Sequence, residues 1–237
     1  MKLLYRIYQF CIAAPLLIGA TILTAIITML GTALGNAHFW GYTPGKLWSR
    51  FFCWILLLPV KVTGQENVDT HTSYVFVANH QGVFDIFLIY GYLGRNFKWM
   101  MKKSLRNLPF VGQACEAAGH IFVDNSGPKK IAQTISQARN TLQHGTSLVV
   151  FPEGRRTETG QMGTFKKGAF TLAQELQLPI VPMTINGSFQ VLPRTRGFIN
   201  FVSWHPLTLT IHAPIQPQED LKATMDQAKA TIENALT

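Results

Sequence analysis

The stretch Tyr74–Asp85, which reads YVFVANHQGVFD, decides the fold. Its first half is a short run of β-branched and aromatic residues, which predicts a buried strand over Tyr74–Ala78. The apolar residues after Gly82 predict a helix over Val83–Leu93, so the polar residues between lie on a strand-to-helix turn. Active-site residues of α/β proteins collect at such turns, at the carboxyl ends of the strands.

The chain around this stretch alternates short β-rich runs with helical patterns. The further predicted strands are Phe97–Met101, His120–Val123, Ser147–Phe151, Ile180–Ile185, Phe198–Trp204 and Leu207–Ile211. The further predicted helices are Pro128 to about His144, Lys167–Gln177 and Pro217–Leu236. We therefore expect a single α/β domain over residues 61–237, with helices flanking a mostly buried sheet.

Residues 1–60 differ in composition and are predicted to form an apolar helical membrane module. No charged residue lies between Ile7 and Gly45, and residues 10–34 are almost wholly apolar. As a helix, that run would measure about 37 Å, enough to cross roughly 30 Å of hydrocarbon with some tilt. The second apolar run, Phe51–Val60, is too short to span a bilayer and favours an interfacial or re-entrant helix.

A cleaved signal peptide is the alternative for the first apolar run. The run is longer than the apolar region of a signal, and no A-x-A cleavage site follows it, so a membrane anchor is favoured. Whether the anchor spans the bilayer or lies in the interface stays open. We expect a membrane location with the catalytic domain on the cytoplasmic face, at the inner membrane in a bacterium, although the flanking basic residues balance and do not fix this orientation.

The charge pattern favours anionic lipids and phosphorylated substrates as partners. The chain carries a formal net charge of +9, but its basic residues belong to no nucleic-acid motif, so nucleic acid is not an expected partner. The three cysteines are far apart and match neither a disulfide framework nor a metal site. The seven histidines are scattered and include no H-E-x-x-H pattern. No metal and no organic cofactor are therefore expected.

His80 and Asp85 are the first candidate catalytic pair. The H-x-x-x-x-D spacing across a turn lets the carboxylate reach the imidazole. The carboxylate would then hold Nδ1–H and leave Nε2 free to accept a proton, which is the arrangement of a general base. The plainer interpretation is that Asp85 only caps the helix and that His80 is partly buried.

A second polar turn follows the predicted strand Ser147–Phe151. It begins with Phe-Pro-Glu-Gly and places the carboxylate of Glu153 and the guanidiniums of Arg155 and Arg156 on one loop. Guanidinium groups present a planar set of donors that suits phosphate oxygens. Glu153 could hold one guanidinium or bond a hydroxyl of the ligand. A solvated charged loop is the alternative, and the preceding Phe-Pro-Glu-Gly disfavours it.

Together these turns resemble the glycerolipid acyltransferase family, which includes the 1-acyl-glycerol-3-phosphate acyltransferases. The resemblance covers roughly residues 60–215, and its four ordered motifs are Asn79–Asp85, Gly119–Asn125, Phe151–Thr157 and Ile180–Met183. Two linking segments also resemble the family: Lys102–Leu105 with Pro109, Phe110 and Gly112, and Phe165–Gly168. One such motif is weak, whereas four in the family's order and spacing are specific.

The resemblance implies transfer of a fatty acyl group from acyl-CoA or acyl carrier protein to the free hydroxyl of 1-acyl-glycerol-3-phosphate, which makes phosphatidic acid for phospholipid synthesis. His80 would be the general base, Asp85 would stabilise its imidazolium, and no acyl-enzyme would form, consistent with the lack of a G-x-S-x-G elbow. Backbone N–H groups near Gly82 or the following helix start would form the oxyanion site. The implied substrate-binding residues are Lys102, Lys103, Asn125, Glu153, Gly154, Arg155, Arg156 and Pro182.

Two departures from the family pattern leave the acceptor headgroup open. Asn125 stands where many members have arginine, so Lys102, Lys103 or Arg106 would supply the missing cation. Arg155 replaces the usual threonine and adds a charge without an assigned role. Glycerol-3-phosphate or a lyso-aminolipid is an alternative acceptor, and a non-catalytic membrane lipid-binding protein is the alternative outside enzymes. Acyl chain length, donor carrier and oligomeric state are not predicted.

Overall fold

The computed structural model describes residues 2–124, 127–142, 145–194 and 201–237 of the chain. These residues contain a sheet of seven strands: β1 Val60–Thr63, β2 Val75–Ala78, β3 Phe97–Lys102, β4 Ile121–Val123, β5 Ser147–Val150, β6 Ile180–Asn186 and β7 Leu207–Ile211. Their order is β1-β7-β6-β2-β5-β3-β4. Strands β2 to β6 are parallel, whereas β1 and β7 run in the opposite direction. The carboxyl ends of β2, β5 and β6 therefore meet at one edge of the sheet.

The helices are α1 Lys2–Tyr8, α2 Ala14–Leu34, α3 Ala37–Trp40, α4 Thr43–Ile55, α5 Phe84–Tyr92, α6 Val111–Ala117, α7 Pro128–Thr141, α8 Gly168–Leu176, α9 Ser188–Val191 and α10 Leu221–Glu233. A π-helical turn, Gln9–Ala13, joins α1 to α2. Short 3₁₀ turns lie at Gln65–Asn67 and Lys103–Asn107.

Both faces of the sheet are covered, which explains why the strands appear in the sequence as short, nearly continuous apolar runs. In β2, Phe76 and Ala78 pack into the cluster that also contains residues of α4 and α5. Val75 and Val77 point to the other face and pack into the cluster that contains residues of α7, α8 and α10. The prediction of an α/β domain with a mostly buried sheet and flanking helices is confirmed.

The amino-terminal apolar segment forms one continuous helix, Lys2–Leu34, which is long and apolar enough to cross a membrane by length and composition. It is also fixed to the rest of the chain. Ala13 and Leu17 belong to the same buried cluster as Phe76. The buried Gln9 side chain donates to the carbonyl oxygen of Val202 at 2.9 Å and accepts its N–H at 2.8 Å.

The predictions differ from the structure in three places. Residues 51–60 do not form one interfacial or re-entrant helix: α4 ends at Ile55, and β1 begins at Val60. The prediction failed because Cys53 and Leu58 face the protein core, and an unbroken apolar run does not distinguish core from membrane. The predicted strand Phe198–Trp204 is wrong over 201–204, which form no strand, and its first residues lie outside the described part. Strand β1 and helix α6 were not predicted.

The predicted domain boundary after residue 60 stays a prediction. It coincides with the start of β1 at Val60. However, helices on its two sides pack together, because Phe52 of α4 stacks on Phe87 of α5 with ring centroids 4.2 Å apart. His144, the predicted end of the helix that begins at Pro128, lies outside the described residues, and α7 ends at Thr141.

Candidate active site

The candidate site is built on the turn that follows β2, and a buried asparagine fixes the start of that turn. The Asn79 amide donates to the carbonyl oxygen of Ile185 at 2.9 Å, and its Oδ1 accepts the Ile185 N–H at 2.8 Å. Asn79 is fully buried, so both contacts are sheltered from water. These two hydrogen bonds continue the pairing of β2 with β6 past the end of β2 through a side chain. They also fix the point at which the next residue, His80, leaves the sheet.

His80 and Asp85 are brought together as the spacing predicted. Nδ1 of His80 lies 2.7 Å from Oδ2 of Asp85, and this carboxylate is fully buried in the first turn of α5. Because a carboxylate accepts hydrogen bonds, we assign the proton of the neutral imidazole to Nδ1, which leaves Nε2 as the basic nitrogen. The pair therefore has the geometry of a general base and its orienting carboxylate.

The same Asp85 oxygen also closes the turn. Oδ2 accepts the backbone N–H groups of Gln81 at 2.7 Å and of Gly82 at 2.9 Å. These contacts confirm that Asp85 caps the turn, and its catalytic role stays a prediction. The expectation that N–H groups near Gly82 bind an oxyanion is wrong for these two groups, because Asp85 already occupies them.

Gly82 is required by close packing. A Cβ built on it would lie 2.5 Å from the Ser188 Oγ and 2.7 Å from the Ser188 carbonyl oxygen. Ser188 begins α9, directly after β6. The turn after β2 and the turn after β6 therefore touch, as expected for strand ends that share one edge of a parallel sheet.

The imidazole plane of His80 is set by an aromatic stack. Its ring lies parallel to that of Phe151, with centroids 3.9 Å apart and an interplanar angle of 7°. Phe151 stacks in turn on Trp99, with centroids 5.5 Å apart. The His80 side chain is 14% exposed, so the ring is held on one face and at Nδ1 while a small part reaches solvent. The stacking of Trp99 behind Phe151 was not predicted.

Glu153 binds the backbone of the turn that follows β2. Its Oε1 accepts the N–H of His80 at 2.7 Å, and its Oε2 accepts the N–H of Gly163 at 2.7 Å. Burial raises the pKa of this carboxyl, and the N–H groups of Gly163 and His80 oppose the rise. Among the described residues, Glu153 holds these two N–H groups and no guanidinium, so it positions the His80 backbone. A contact between Glu153 and a ligand hydroxyl stays a prediction.

The Phe151–Thr157 segment also binds the other side of the His80 backbone. The N–H of Thr157 donates to the carbonyl oxygen of His80 at 2.9 Å. Arg156, the neighbour of Thr157, is half-buried, and Arg155 is exposed. Neither arginine makes an ion pair with any residue that the structure describes. The predicted phosphate-binding side chains are thus placed on the loop that holds the His80 backbone.

The remaining predicted residues lie on other segments of the chain. Lys103 Nζ contacts Asp124 Oδ2 at 2.9 Å, and Lys102 is exposed at the end of β3. Pro182 is buried in β6 and pairs with Val77, so its place is within the sheet and it is not brought to the turn. Asn125 lies outside the described residues.

Metal binding has no ready site in the part of the chain that the structure covers. Residues 2–124, 127–142, 145–194 and 201–237 contain no group of three or more His, Cys, Asp or Glu side chains that could hold an ion. The expectation of a reaction without metal or organic cofactor stays a prediction.

Several known proteins with sequences similar to this chain are named 1-acyl-sn-glycerol-3-phosphate acyltransferase. A chloroplastic 1-acyl-sn-glycerol-3-phosphate acyltransferase of Arabidopsis thaliana is 31% identical over 175 residues, which are 72% of this chain and 47% of that protein. The 1-acyl-sn-glycerol-3-phosphate acyltransferase of Saccharomyces cerevisiae is 34% identical over 191 residues, 78% of this chain and 61% of that protein. The chain therefore spans about half to three fifths of the length of these relatives.

The fold is also that of a solved structure. The 1-acyl-sn-glycerophosphate (LPA) acyltransferase PlsC from Thermotoga maritima superposes with a TM-score of 0.75 at 24% identity, over 98% of this chain and 95% of that one. The sequence matches the Acyltransferase family over residues 59–186, more than half of the chain, and this range contains both turns of the site. The protein therefore belongs to the acyltransferase family.

Proposed function

We propose that this protein transfers a fatty acyl group from acyl-CoA or acyl carrier protein to the free hydroxyl of 1-acyl-glycerol-3-phosphate, and so makes phosphatidic acid in phospholipid synthesis. The observation that carries the proposal is the 2.7 Å contact between His80 Nδ1 and the buried Asp85 carboxylate, within the matched acyltransferase region. The names of the Arabidopsis and yeast relatives support the choice of acceptor.

His80 serves as base and then as acid in this reaction. Its Nε2 takes the proton of the acceptor hydroxyl as the oxygen attacks the thioester carbonyl carbon. Asp85 stabilises the imidazolium that forms. The C–S bond then breaks, the new ester C–O bond remains, and the thiolate that leaves takes the proton from His80. The acyl group passes directly from one substrate to the other while His80 carries only the proton, so no acyl-enzyme is needed.

Two side chains of the Phe151–Thr157 loop have separate tasks in this proposal. Arg156 binds the acceptor phosphate, because a guanidinium offers several donors and keeps its charge. Glu153 positions the base, since its oxygens hold the His80 and Gly163 backbone. The loop thereby joins acceptor binding to the position of the base, and alignment of this kind contributes much of the rate of a bimolecular transfer.

An apolar groove beside the amino-terminal helix could hold an acyl chain of a substrate. A cavity of about 500 Å³ lies between Leu17, Ile18 and Ile22 of α2 and a facing wall that includes Phe52 and Phe110. Its lining would accept an aliphatic chain.

We propose a membrane location for the protein, with the catalytic domain on the cytoplasmic face, at the inner membrane in a bacterium. We also propose that the reaction needs no metal and no organic cofactor.

Acyl transfer by the purified full-length protein tests this function. Labelled palmitoyl-CoA, or palmitoyl-acyl carrier protein, is offered with lysophosphatidic acid, glycerol-3-phosphate or a lyso-aminolipid. The wild type should acylate lysophosphatidic acid, and His80→Ala should lower the rate by roughly 10⁴-fold, as expected when a catalytic base is lost. His71→Ala is the matched control, because His71 is exposed on the loop before β2, away from the turn.

The other outcomes redirect the proposal. Transfer to glycerol-3-phosphate or to the lyso-aminolipid alone would keep the chemistry and replace the acceptor. No transfer from either donor to any acceptor would contradict the enzyme function and favour a lipid-binding protein.

A further inference from the structure

A lysine that the proposed mechanism has not used lies against the Phe151–Gly154 turn. Gly154 closes this turn with φ +73°, and its N–H donates to the Phe151 carbonyl oxygen at 3.0 Å. A Cβ built on Gly154 would lie 2.8 Å from Nζ of Lys166. The backbone N–H of Lys166 also donates to the carbonyl oxygen of Pro152 at 2.9 Å. Main chain and ammonium of Lys166 are thus both placed on this turn.

The residues directly before Lys166 are fixed at two points. The N–H of Gly163 is bound by Glu153 Oε2, the same carboxylate that holds His80. Phe165 is buried and stacks on Phe170 of α8, with ring centroids 6.2 Å apart. The ammonium therefore extends from a backbone that is tied to the catalytic turn through a single side chain.

The charges around this turn favour an anionic ligand. Two of the cations expected to replace the arginine missing at position 125 are already paired, Lys103 with Asp124 and Arg106 with Glu116. Lys166 and Arg156, in contrast, make no ion pair with any described residue. The only carboxylate within the Phe-Pro-Glu-Gly-Arg-Arg segment is that of Glu153, and backbone N–H groups occupy it.

We infer that Lys166 binds the phosphate of the acceptor together with Arg156 and supplies the cation that position 125 lacks. The inference rests on the proposed function and narrows its acceptor to a class, phosphate monoesters with a nearby free hydroxyl. A lysine ammonium is a compact point charge and a guanidinium is a planar donor, so the two suit different oxygens of one phosphate group. The absence of a side chain at Gly154 lets the Lys166 ammonium lie against this turn, since a Cβ there would meet it.

The test compares Lys166→Ala with Lys167→Ala in the full-length protein. Lys167 is the next residue and is also exposed, so both variants lose one positive charge at the same place in the chain. We expect Lys166→Ala to raise the KM for lysophosphatidic acid roughly 10- to 100-fold, the loss of a charge-assisted hydrogen bond. The kcat and the KM for palmitoyl-CoA should stay within about twofold of the wild type, as should both constants of Lys167→Ala.

Two additional measurements separate ligand binding from a structural role. Lys166→Arg should restore most of the acceptor affinity, because it keeps the charge. The unfolding transition of Lys166→Ala should match that of Lys167→Ala. An unchanged acceptor KM in Lys166→Ala, an equal rise in Lys167→Ala, or a rise in the KM for palmitoyl-CoA alone would each overturn the inference.

Failure of the inference and failure of the proposed function give different results. If the wild type acylates lysophosphatidic acid and Lys166→Ala is indistinguishable from Lys167→Ala, only the role of Lys166 is wrong. If the wild type acylates no phosphate-bearing acceptor, the proposed function is wrong, and the phosphate site is wrong with it.

Discussion

Replacing Glu153 by glutamine tests whether this residue positions the base or binds the acceptor. The carboxylate now accepts the N–H of His80 and the N–H of Gly163, each at 2.7 Å. Glutamine has the same shape but only one acceptor oxygen, so one of the two N–H groups must face an NH₂ donor. The residue is 7% exposed, which leaves little room for water to replace the lost acceptor.

The size of the effect follows from that geometry. A buried donor without an acceptor costs about 1–3 kcal/mol, and the free energy of unfolding should fall by about that amount. If the His80 N–H is the group that loses its partner, the imidazole shifts relative to the acceptor hydroxyl. Since a displacement near 1 Å can cost about 100-fold in rate, we expect kcat to fall by roughly 10- to 100-fold, with the acceptor KM almost unchanged.

Steady-state kinetics on lysophosphatidic acid and denaturant unfolding measure these quantities. Glu175→Gln, an exposed position on α8, is the control and should leave both unchanged. A higher acceptor KM with wild-type kcat and wild-type unfolding free energy would refute the reasoning, because Glu153 would then bind the acceptor and not the His80 backbone.

Two further predictions concern buried positions next to the site. Burial lowers the pKa of His120 to about 3, so the folded protein loses stability as pH falls from about 6.5 towards 3. Between pH 7 and pH 5 the unfolding free energy of His120→Gln should therefore fall by about 2 kcal/mol less than that of the wild type. A pH profile identical to the wild type would contradict this. In Gly82→Ala, the new methyl meets Ser188, so kcat should fall at least about tenfold, whereas Gly168→Ala, where nothing lies within 4 Å, should be neutral. Equal activity of these two glycine variants would contradict the packing argument.

The contacts that could be predicted are those formed between near neighbours in sequence. His80 and Asp85 lie on one turn, so their spacing was enough to predict that they meet. The role of Glu153 could not be predicted in this way, because its partner His80 is 73 residues away in the chain. A carboxylate beside two arginines suggests an ion pair, and only the sheet order, which places β2 beside β5, brings it to a backbone N–H instead.

Strands could be predicted where a short run of apolar residues is flanked by turn residues. β1 was missed because Pro59, directly before Val60–Thr63 (VKVT), was counted as part of the apolar run and not as its end. The same run was assigned to the membrane as a whole. In the structure Cys53 and Leu58 are buried in the protein core, while Trp54 and Leu57 are exposed, and this division depends on tertiary packing that an unbroken apolar run does not encode.

The way the amino-terminal helix is attached has a consequence for handling the protein. Tyr5 and Tyr8 donate their hydroxyl protons to the carbonyl oxygens of Leu56 and Ile55, at 2.6 and 2.7 Å, and Gln9 binds the backbone of Val202. Truncation before α3 would strip these partners from the domain and open the cluster that Leu17 helps to fill. The truncated domain would therefore aggregate more readily than the full-length protein, so the whole chain is the better starting material for purification.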